Sequence, residues 1–223
     1  PVGLWNTRDD GTLDSVGDLA VLALVQDVVL SASLLTGDTA FRPPDYELLI
    51  NTVFNAIYTS AEELGVLFAD PAKGYTRFDW NIGFQELFVD KHVSNLTNRY
   101  DFYSIRAGIQ GFSADFRGFL FQDNRLGVRL FGNYDNNRLQ YNLAYFRTIE
   151  KDTNSGLNTV MPLRQDDVFL ANLYFQDFPV LGFTVQGIVA YNRNTEGGEI
   201  PFYDQNGFLQ RPALIGLVTP RDY

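Results

Sequence analysis

The sequence has no cysteine and only one histidine, His92. Without cysteine, disulfides, thiolate metal sites and cysteine nucleophiles are excluded. A Ser-His-Asp hydrolase would have to use His92 as its general base, and no serine stands in a Gly-x-Ser-x-Gly motif. The sequence also lacks a glycine-rich phosphate loop and a haem-attachment motif. It therefore predicts no enzymatic activity, no cofactor and no metal site.

Positive charge and long apolar runs are scarce as well. The chain has 17 Lys and Arg against 27 Asp and Glu, a net charge of −10, which argues against nucleic acid as a partner, because nucleic acid requires a basic face. The most apolar run, residues 19–35, is interrupted by Gln26 and Asp27, so it does not fit a membrane-spanning helix of about 20 apolar residues. The chain begins at Pro1 without a signal peptide, and we expect it to be processed or part of a longer protein.

Aromatic residues are abundant, with 19 Phe, 12 Tyr and 2 Trp, and apolar residues alternate with polar ones. In residues 125–134, for example, Leu126, Val128 and Leu130 alternate with Arg125 and Arg129. A period of two is typical of strands with two different faces. Five segments show it clearly: 103–111, 125–134, 138–147, 168–176 and 183–192. Residues 28–36, 45–58 and 79–91 show it less regularly, so we expect about eight strands.

One conflict lies in the segment 79–91. Strict alternation would put the acidic Glu86 on the same face as Trp80, Phe84 and Phe88. A β-bulge near Gln85 would resolve the conflict, because one extra residue shifts the alternation by one position. A shielded position for Glu86 is the alternative.

The connections and the composition favour a transmembrane β-barrel. Short links at 94–100, 134–137 and 177–181 alternate with longer ones at 59–78, 112–124 and 149–166, as in outer-membrane barrels. A soluble β-sandwich also alternates, but its outer face should carry many charges. Here the polar face is rich in Gln, Asn, Arg, Thr and Gly, and aromatic residues cluster near strand ends, as interfacial girdles require.

Several longer motifs carry a resemblance to a known group of proteins. They are Gly37-Asp-Thr-Ala-Phe-Arg-Pro-Pro-Asp45, Glu63-Leu-Gly65, Gly83-Phe-Gln-Glu-Leu-Phe-Val89, Arg106-Ala-Gly-Ile-Gln110, Ser113-Ala-Asp-Phe-Arg-Gly-Phe119, Gly127-Val-Arg-Leu-Phe-Gly132, Gln140-Tyr-Asn-Leu-Ala-Tyr145, Glu150-Lys-Asp-Thr-Asn-Ser-Gly-Leu-Asn158 and Asn206-Gly-Phe-Leu-Gln-Arg-Pro-Ala213. With these motifs the chain resembles largely uncharacterised porin-like proteins of the Gram-negative outer membrane, similar in style to alginate-export barrels.

The resemblance implies an all-β, antiparallel transmembrane barrel in the bacterial outer membrane, with lipid as its partner and with no catalytic residue. We expect residues 1–223 to form one barrel region, with an irregular segment at 1–18 and a loop-like tail at 195–223. Members of the group look longer than this chain, and eight strands would place both ends outside the cell. The 223 residues are therefore expected to be an incomplete barrel, since an unpaired edge is costly in hydrocarbon.

The polar face supplies the candidate pore-lining residues. They are Arg106, Arg129, Arg138, Gln140, Asn142, Asn172 and Gln186. The arginines would either attract anions, such as acidic sugars, or pair with interior carboxylates and brace the wall. The amides would hydrogen-bond sugar hydroxyls or, as we favour, form the wet wall that any porin-like barrel needs.

The loop 113–125 is unusually apolar for a connection and includes Asp115, Phe116, Arg117 and Phe119. It would either fold into the lumen as a constriction or form its own small cluster outside. The leading functional prediction is a channel for small polar or anionic solutes, and sugars are among the solutes considered. A structural sleeve around a partner protein, such as an electron-transfer cytochrome, is the alternative, and a barrel enzyme is the third. Oligomerisation is left open.

Overall fold

The computed structural model describes residues 2–7, 19–37, 43–61, 76–99, 101–115, 118, 120–151 and 156–195, together with three two-residue strands near the end of the chain. Nine strands follow one another: β1 Val2–Thr7, β2 Leu19–Thr36, β3 Tyr46–Ala61, β4 Thr76–Asn95, β5 Phe102–Ser113, β6 Gln122–Tyr134, β7 Leu139–Lys151, β8 Asn158–Gln176 and β9 Thr184–Asn194. The short strands are β10 Phe202–Tyr203, β11 Leu209–Gln210 and β12 Arg221–Asp222.

Every strand from β1 to β9 pairs antiparallel with the next strand in the chain, and β12 pairs with the far side of β9. The prediction of an all-β antiparallel sheet is confirmed. Among the described residues, the outermost strands β1 and β12 are not hydrogen-bonded to each other, so the sheet is open. No helix in the described parts of the chain is long and apolar enough to cross a membrane.

The two faces of the sheet follow the alternation in the sequence. Leu126 pairs with Ile109 and Leu130 pairs with both Ile105 and Leu143, so these apolar residues share one face, here called the outer face. Arg129 pairs with Arg106 and with Ala144 on the opposite, inner face. The predicted placement of Leu126 and Leu130 on one face and Arg129 on the other is therefore confirmed.

Of the two alternatives for the conflict in β4, the structure shows the bulge. Thr52 of β3 pairs with Phe84 and Asn51 pairs with Glu86, so Gln85 is the extra residue. The bulge shifts the alternation by one position. Trp80, before it, is 68 % exposed on the outer face, whereas Phe88, after it, is 4 % exposed on the inner face. Glu86 comes into line with Phe88 rather than with Trp80, which removes the conflict.

Several element bounds differ from the prediction. Val2–Thr7 is a strand within the segment expected to be irregular, and β2 begins at Leu19 rather than at residue 28. Both faces of β2 carry apolar side chains, such as Val29 and Leu30, so alternation does not reveal the strand. Most of the expected loop 149–166 is also strand, since β7 and β8 continue through two register shifts.

Burial is inverted relative to that of a water-soluble sheet. Large apolar side chains of the outer face are exposed, among them Trp80, Val128, Leu143, Phe169 and Val189. Polar residues of the inner face are buried, namely Asn55, Asp90, Ser104, Gln110, Thr148, Asn158 and Asn172. The inner face also holds one apolar cluster, formed by Phe112, Ala114, Ala144, Phe146, Val168 and Leu170, with Phe121 packed against it. In this sheet the polar residues of the inner face are therefore buried, and the apolar residues of the outer face are exposed.

Candidate functional site on the inner face

Arg106 of β5 is held by carboxylates of the neighbouring strands. Its Nε and Nη2 atoms lie 2.9 and 2.7 Å from Oδ2 of Asp90 in β4, and Nη2 lies 3.7 Å from Glu47 in β3. Its guanidinium carbon stands 3.9 Å from the ring centroid of Phe88. This geometry matches the bracing alternative, in which an interior arginine is neutralised by carboxylates of the same wall.

Arg129 of β6 lies beside Arg106 on the inner face but has different neighbours. Its guanidinium carbon is 4.4 Å from the ring centroid of Phe131 and 5.4 Å from that of Phe112. Its Nε atom is buried and has no hydrogen-bond partner in the described residues. Cation–π contacts of this kind contribute on the order of 1 kcal/mol. Arg129 is thus held by rings rather than by a carboxylate.

The structure corrects the placement of Arg138. The residue belongs to the turn 135–138 before β7, and its side chain is exposed and forms an ion pair with Asp135 at 3.1 Å. Gln140, the first inner-face residue of β7, donates a hydrogen bond to Asn137 of the same turn. Arg138 therefore lies at the edge of the sheet, beyond the wall that carries Arg106 and Arg129. The alternation extended one residue too far because Arg138 continues it by chance into the turn.

Two of the four predicted amides, Asn172 and Gln186, donate to the same backbone carbonyl. Asn142 of β7 donates to Asn172 of β8 at 2.8 Å. The carbonyl oxygen of Ala114 accepts hydrogen bonds from Asn172 at 3.0 Å, from the Tyr174 hydroxyl at 3.1 Å and from Gln186 of β9 at 2.7 Å. The donors lie 58 to 72 residues from Ala114 in the chain. The sequence predicts Asn172 and Gln186 as wall residues, and the structure shows that they also hold a loop.

That loop connects β5 to β6, and its two ends, at Ala114 and Phe121, lie against the inner face. Ala114 is fully buried, and the ring of Phe121 packs on Phe146 with 5.5 Å between centroids. Of the residues predicted to form a constriction, Asp115 directly follows Ala114 and is partly buried. Phe116, Arg117 and Phe119 lie outside the described residues. The loop start and end therefore lie on the inner side of the sheet, over β7, β8 and β9.

The start of β8 also lies on the inner face. Asn158, the first residue of β8, is fully buried and donates from its side chain to the carbonyls of Phe84 and Asn124. Its own carbonyl oxygen lies so close to Gly83 that a Cβ at that position would stand 2.0 Å away. Only glycine permits this approach. The start of β8 thus contacts the bulge of β4 across the intervening strands.

A network of charged side chains connects β6, β7 and β8. Arg125 of β6 pairs with Asp123 at 2.9 Å and with Asp166 of β8 at 3.5 Å, and Lys151 of β7 also pairs with Asp123. Thr148 donates to Asp166 at 2.7 Å. Burial raises the pKa of Asp123, but hydrogen bonds from Lys151 and Arg125 outweigh it and hold this pKa below its usual value. The network joins the loop ends of β6, β7 and β8.

His92 contacts a serine that the sequence does not single out. Its Nδ1 atom lies 3.5 Å from the hydroxyl of Ser104 and its Nε2 atom lies 3.0 Å from Oδ1 of Asn95. Ser104 is 1 % exposed, so its hydroxyl is closed to a substrate. In the part of the chain that the structure describes, no group of acidic and histidine side chains could hold a metal ion.

Sequence analysis did not identify three residues of this site, which are Asp90, Tyr174 and Asn158. The alternation after the β4 bulge could have placed Asp90 opposite Arg106, because a bulge was one of the two alternatives for this strand. Tyr174 shares the inner face with Asn172 by the same alternation. Asn158 gives no signal in the sequence, because its contacts depend on the register shifts between β7 and β8.

Comparison with protein-family models, curated proteins and solved structures finds no match to this chain. The resemblance to outer-membrane porin-like proteins therefore stays a prediction from the quoted motifs.

Proposed function

We propose that the chain forms part of the wall of a β-barrel channel in the outer membrane of a Gram-negative bacterium, with lipid on its outer face and water and small polar solutes on its inner face. The inverted burial carries this proposal. Trp80, Val128 and Val189 are exposed on one face while Gln110 and Asn172 are buried on the other. In water, exposed apolar area of this extent is unfavourable by about 25 cal/mol per Å². In hydrocarbon the same face is the stable one.

The β5–β6 loop favours a channel over a sleeve that houses a protein. The described ends of the loop lie on the inner face, where three side chains hold the Ala114 carbonyl. A sleeve needs its inner surface clear to accommodate a folded partner. A loop held against the wall instead narrows the passage and leaves a route for small solutes. The polar lining, with Arg106, Asn142 and Gln186 on this face, suits hydrated solutes.

Single-channel recording of the full-length protein in planar lipid bilayers tests the proposal. We expect discrete conductance steps in the wild type. The double variant Tyr174→Phe with Gln186→Leu removes two of the three donors to Ala114, which should loosen the loop and give larger or noisier steps. Gln140→Leu is the matched control, because its partner Asn137 belongs to a turn. Absence of discrete conductance from correctly inserted wild-type protein would contradict a channel and favour the sleeve.

A further inference from the structure

Arg106 and Arg129 face each other directly across the β5–β6 pair, so two positive charges lie side by side on the inner face. Like charges opposite each other on adjacent strands destabilise a sheet. Asp90 and Glu47 neutralise Arg106. Among the described residues the structure shows no ion pair for Arg129. The two carboxylates balance the charges of the two arginines, but both form their ion pairs with Arg106 and neither forms one with Arg129.

The surroundings of Arg129 distinguish it from the other arginines predicted to line the pore. Arg138 pairs with Asp135 in a turn, whereas Arg129 is half-buried and its Nε donor is unsatisfied within the described residues. The rings of Phe112 and Phe131 approach the guanidinium carbon, and they attract its charge without offering a lone pair to its N–H groups. A partly buried cation with an unsatisfied N–H donor favours a counter-anion.

We propose that Arg129 binds a small anion on the inner wall, beside Phe112 and Phe131. Its planar group of N–H donors suits the oxygens of a phosphate or carboxylate, which it can contact through two parallel hydrogen bonds. The site deepens the proposed channel by assigning its anion contact to Arg129 and by excluding Arg106 and Arg138, whose charges are already paired. The inference rests on the proposed function only for the access of solutes to the inner face.

Thermal unfolding of the full-length protein in detergent tests the anion site without requiring conduction. Inorganic phosphate is titrated at constant ionic strength against chloride, which has no pair of oxygens to accept two parallel hydrogen bonds. Because a ligand that binds only the folded state stabilises it, the wild-type unfolding temperature should rise and saturate. The shift should vanish in Arg129→Gln and remain in Arg138→Gln, which removes the same charge from the turn. Circular dichroism spectra before heating establish that each variant is folded.

A wild type without a saturating shift, or an Arg129→Gln variant that keeps the full shift, overturns the anion site. Arg129→Lys keeps the charge but loses the planar donor group, so a weakened shift is expected. Reversal potentials across a KCl gradient give a second measurement: anion preference should fall in Arg129→Gln and persist in Arg138→Gln. A wild type that shows the phosphate shift but no conductance contradicts the channel alone, and one that conducts without the shift contradicts the anion site alone.

Discussion

Trp80 and Phe88 are aromatic residues an even number of positions apart on the same strand, yet Trp80 is exposed on the outer face and Phe88 is buried on the inner face. The difference is caused by Gln85, the extra residue between them. Phe88 then packs under Arg106, a contact that the outer face does not offer. Residue type alone therefore does not assign a side chain to a face in β4. The position of a residue relative to the bulge decides which face its side chain occupies.

Deleting Gln85 should have the largest effect, because it removes the difference between the two halves of β4. Restored alternation would carry Phe88 and Asp90 to the outer face or Trp80 to the inner one. Loss of Asp90 leaves Arg106 without its main partner, and breaking a buried ion pair costs about 3–5 kcal/mol. We expect little folded protein on refolding into lipid bilayers. The matched variant Gln85→Ala keeps the bulge and should fold normally, and a stable deletion variant would show that the bulge is dispensable.

Arginine at neighbouring positions of β9 sharpens the comparison between the faces. Val189 is on the outer face and Ile188 on the inner face. If lipid covers the outer face, Val189→Arg should cost about 2–4 kcal/mol at the bilayer midplane, and Ile188→Arg should cost less. In water the order reverses, because Val189 is 71 % exposed. Urea unfolding in phospholipid bilayers measures both variants, and a cheaper substitution at Val189 would argue against lipid on that face.

Asn172→Leu separates the loop contacts of the inner face from the wall itself. It removes a donor to the Ala114 carbonyl and leaves the Asn142 amide without its partner. An unsatisfied buried polar group costs about 1–3 kcal/mol, so the free energy of unfolding should fall by that amount. Tyr174→Phe removes one donor from the same carbonyl, and the Asn172 amide that also contacts the Tyr174 hydroxyl keeps its hydrogen bond to Ala114, so the cost should be smaller. Equal costs for both variants would contradict this account.

Acid should affect the loop end of the inner face by the smallest amount. The pKa of Asp123 is lowered in the folded chain by Lys151 and Arg125, which outweigh the effect of burial. The unfolded chain therefore binds the proton more readily, so this stabilisation is present above the usual pKa of an aspartate and is lost as pH falls through the lowered value. Asp123→Asn should flatten the decrease in unfolding free energy between neutral pH and about pH 2. An unchanged pH profile would show that the ion pairs contribute nothing.

The faces of β5 to β9 could be predicted because each strand carries a regular alternation, as Leu126, Val128 and Leu130 do beside Arg129. The side-chain partners could not be predicted from the sequence, because they depend on which strands are neighbours and on the register between those strands. Asp90 meets Arg106 only after the β4 bulge. Strand β2 was predicted too short because apolar side chains occupy both of its faces. The contact of Asn158 with Phe84 joins residues 74 apart, and no local pattern indicates it.

The chain order of the strands has a consequence for how such a protein changes over evolution. From β1 to β9, every neighbour in the sheet is also the next strand in the sequence. A hairpin of two strands can therefore be duplicated or lost in one event, and the strands on either side can pair with each other in the same antiparallel sense. Hairpins β1–β2 and β8–β9 carry little of the Arg106 and Arg129 site. The number of strands in the sheet and the side chains of the Arg106 and Arg129 site can therefore change independently in evolution.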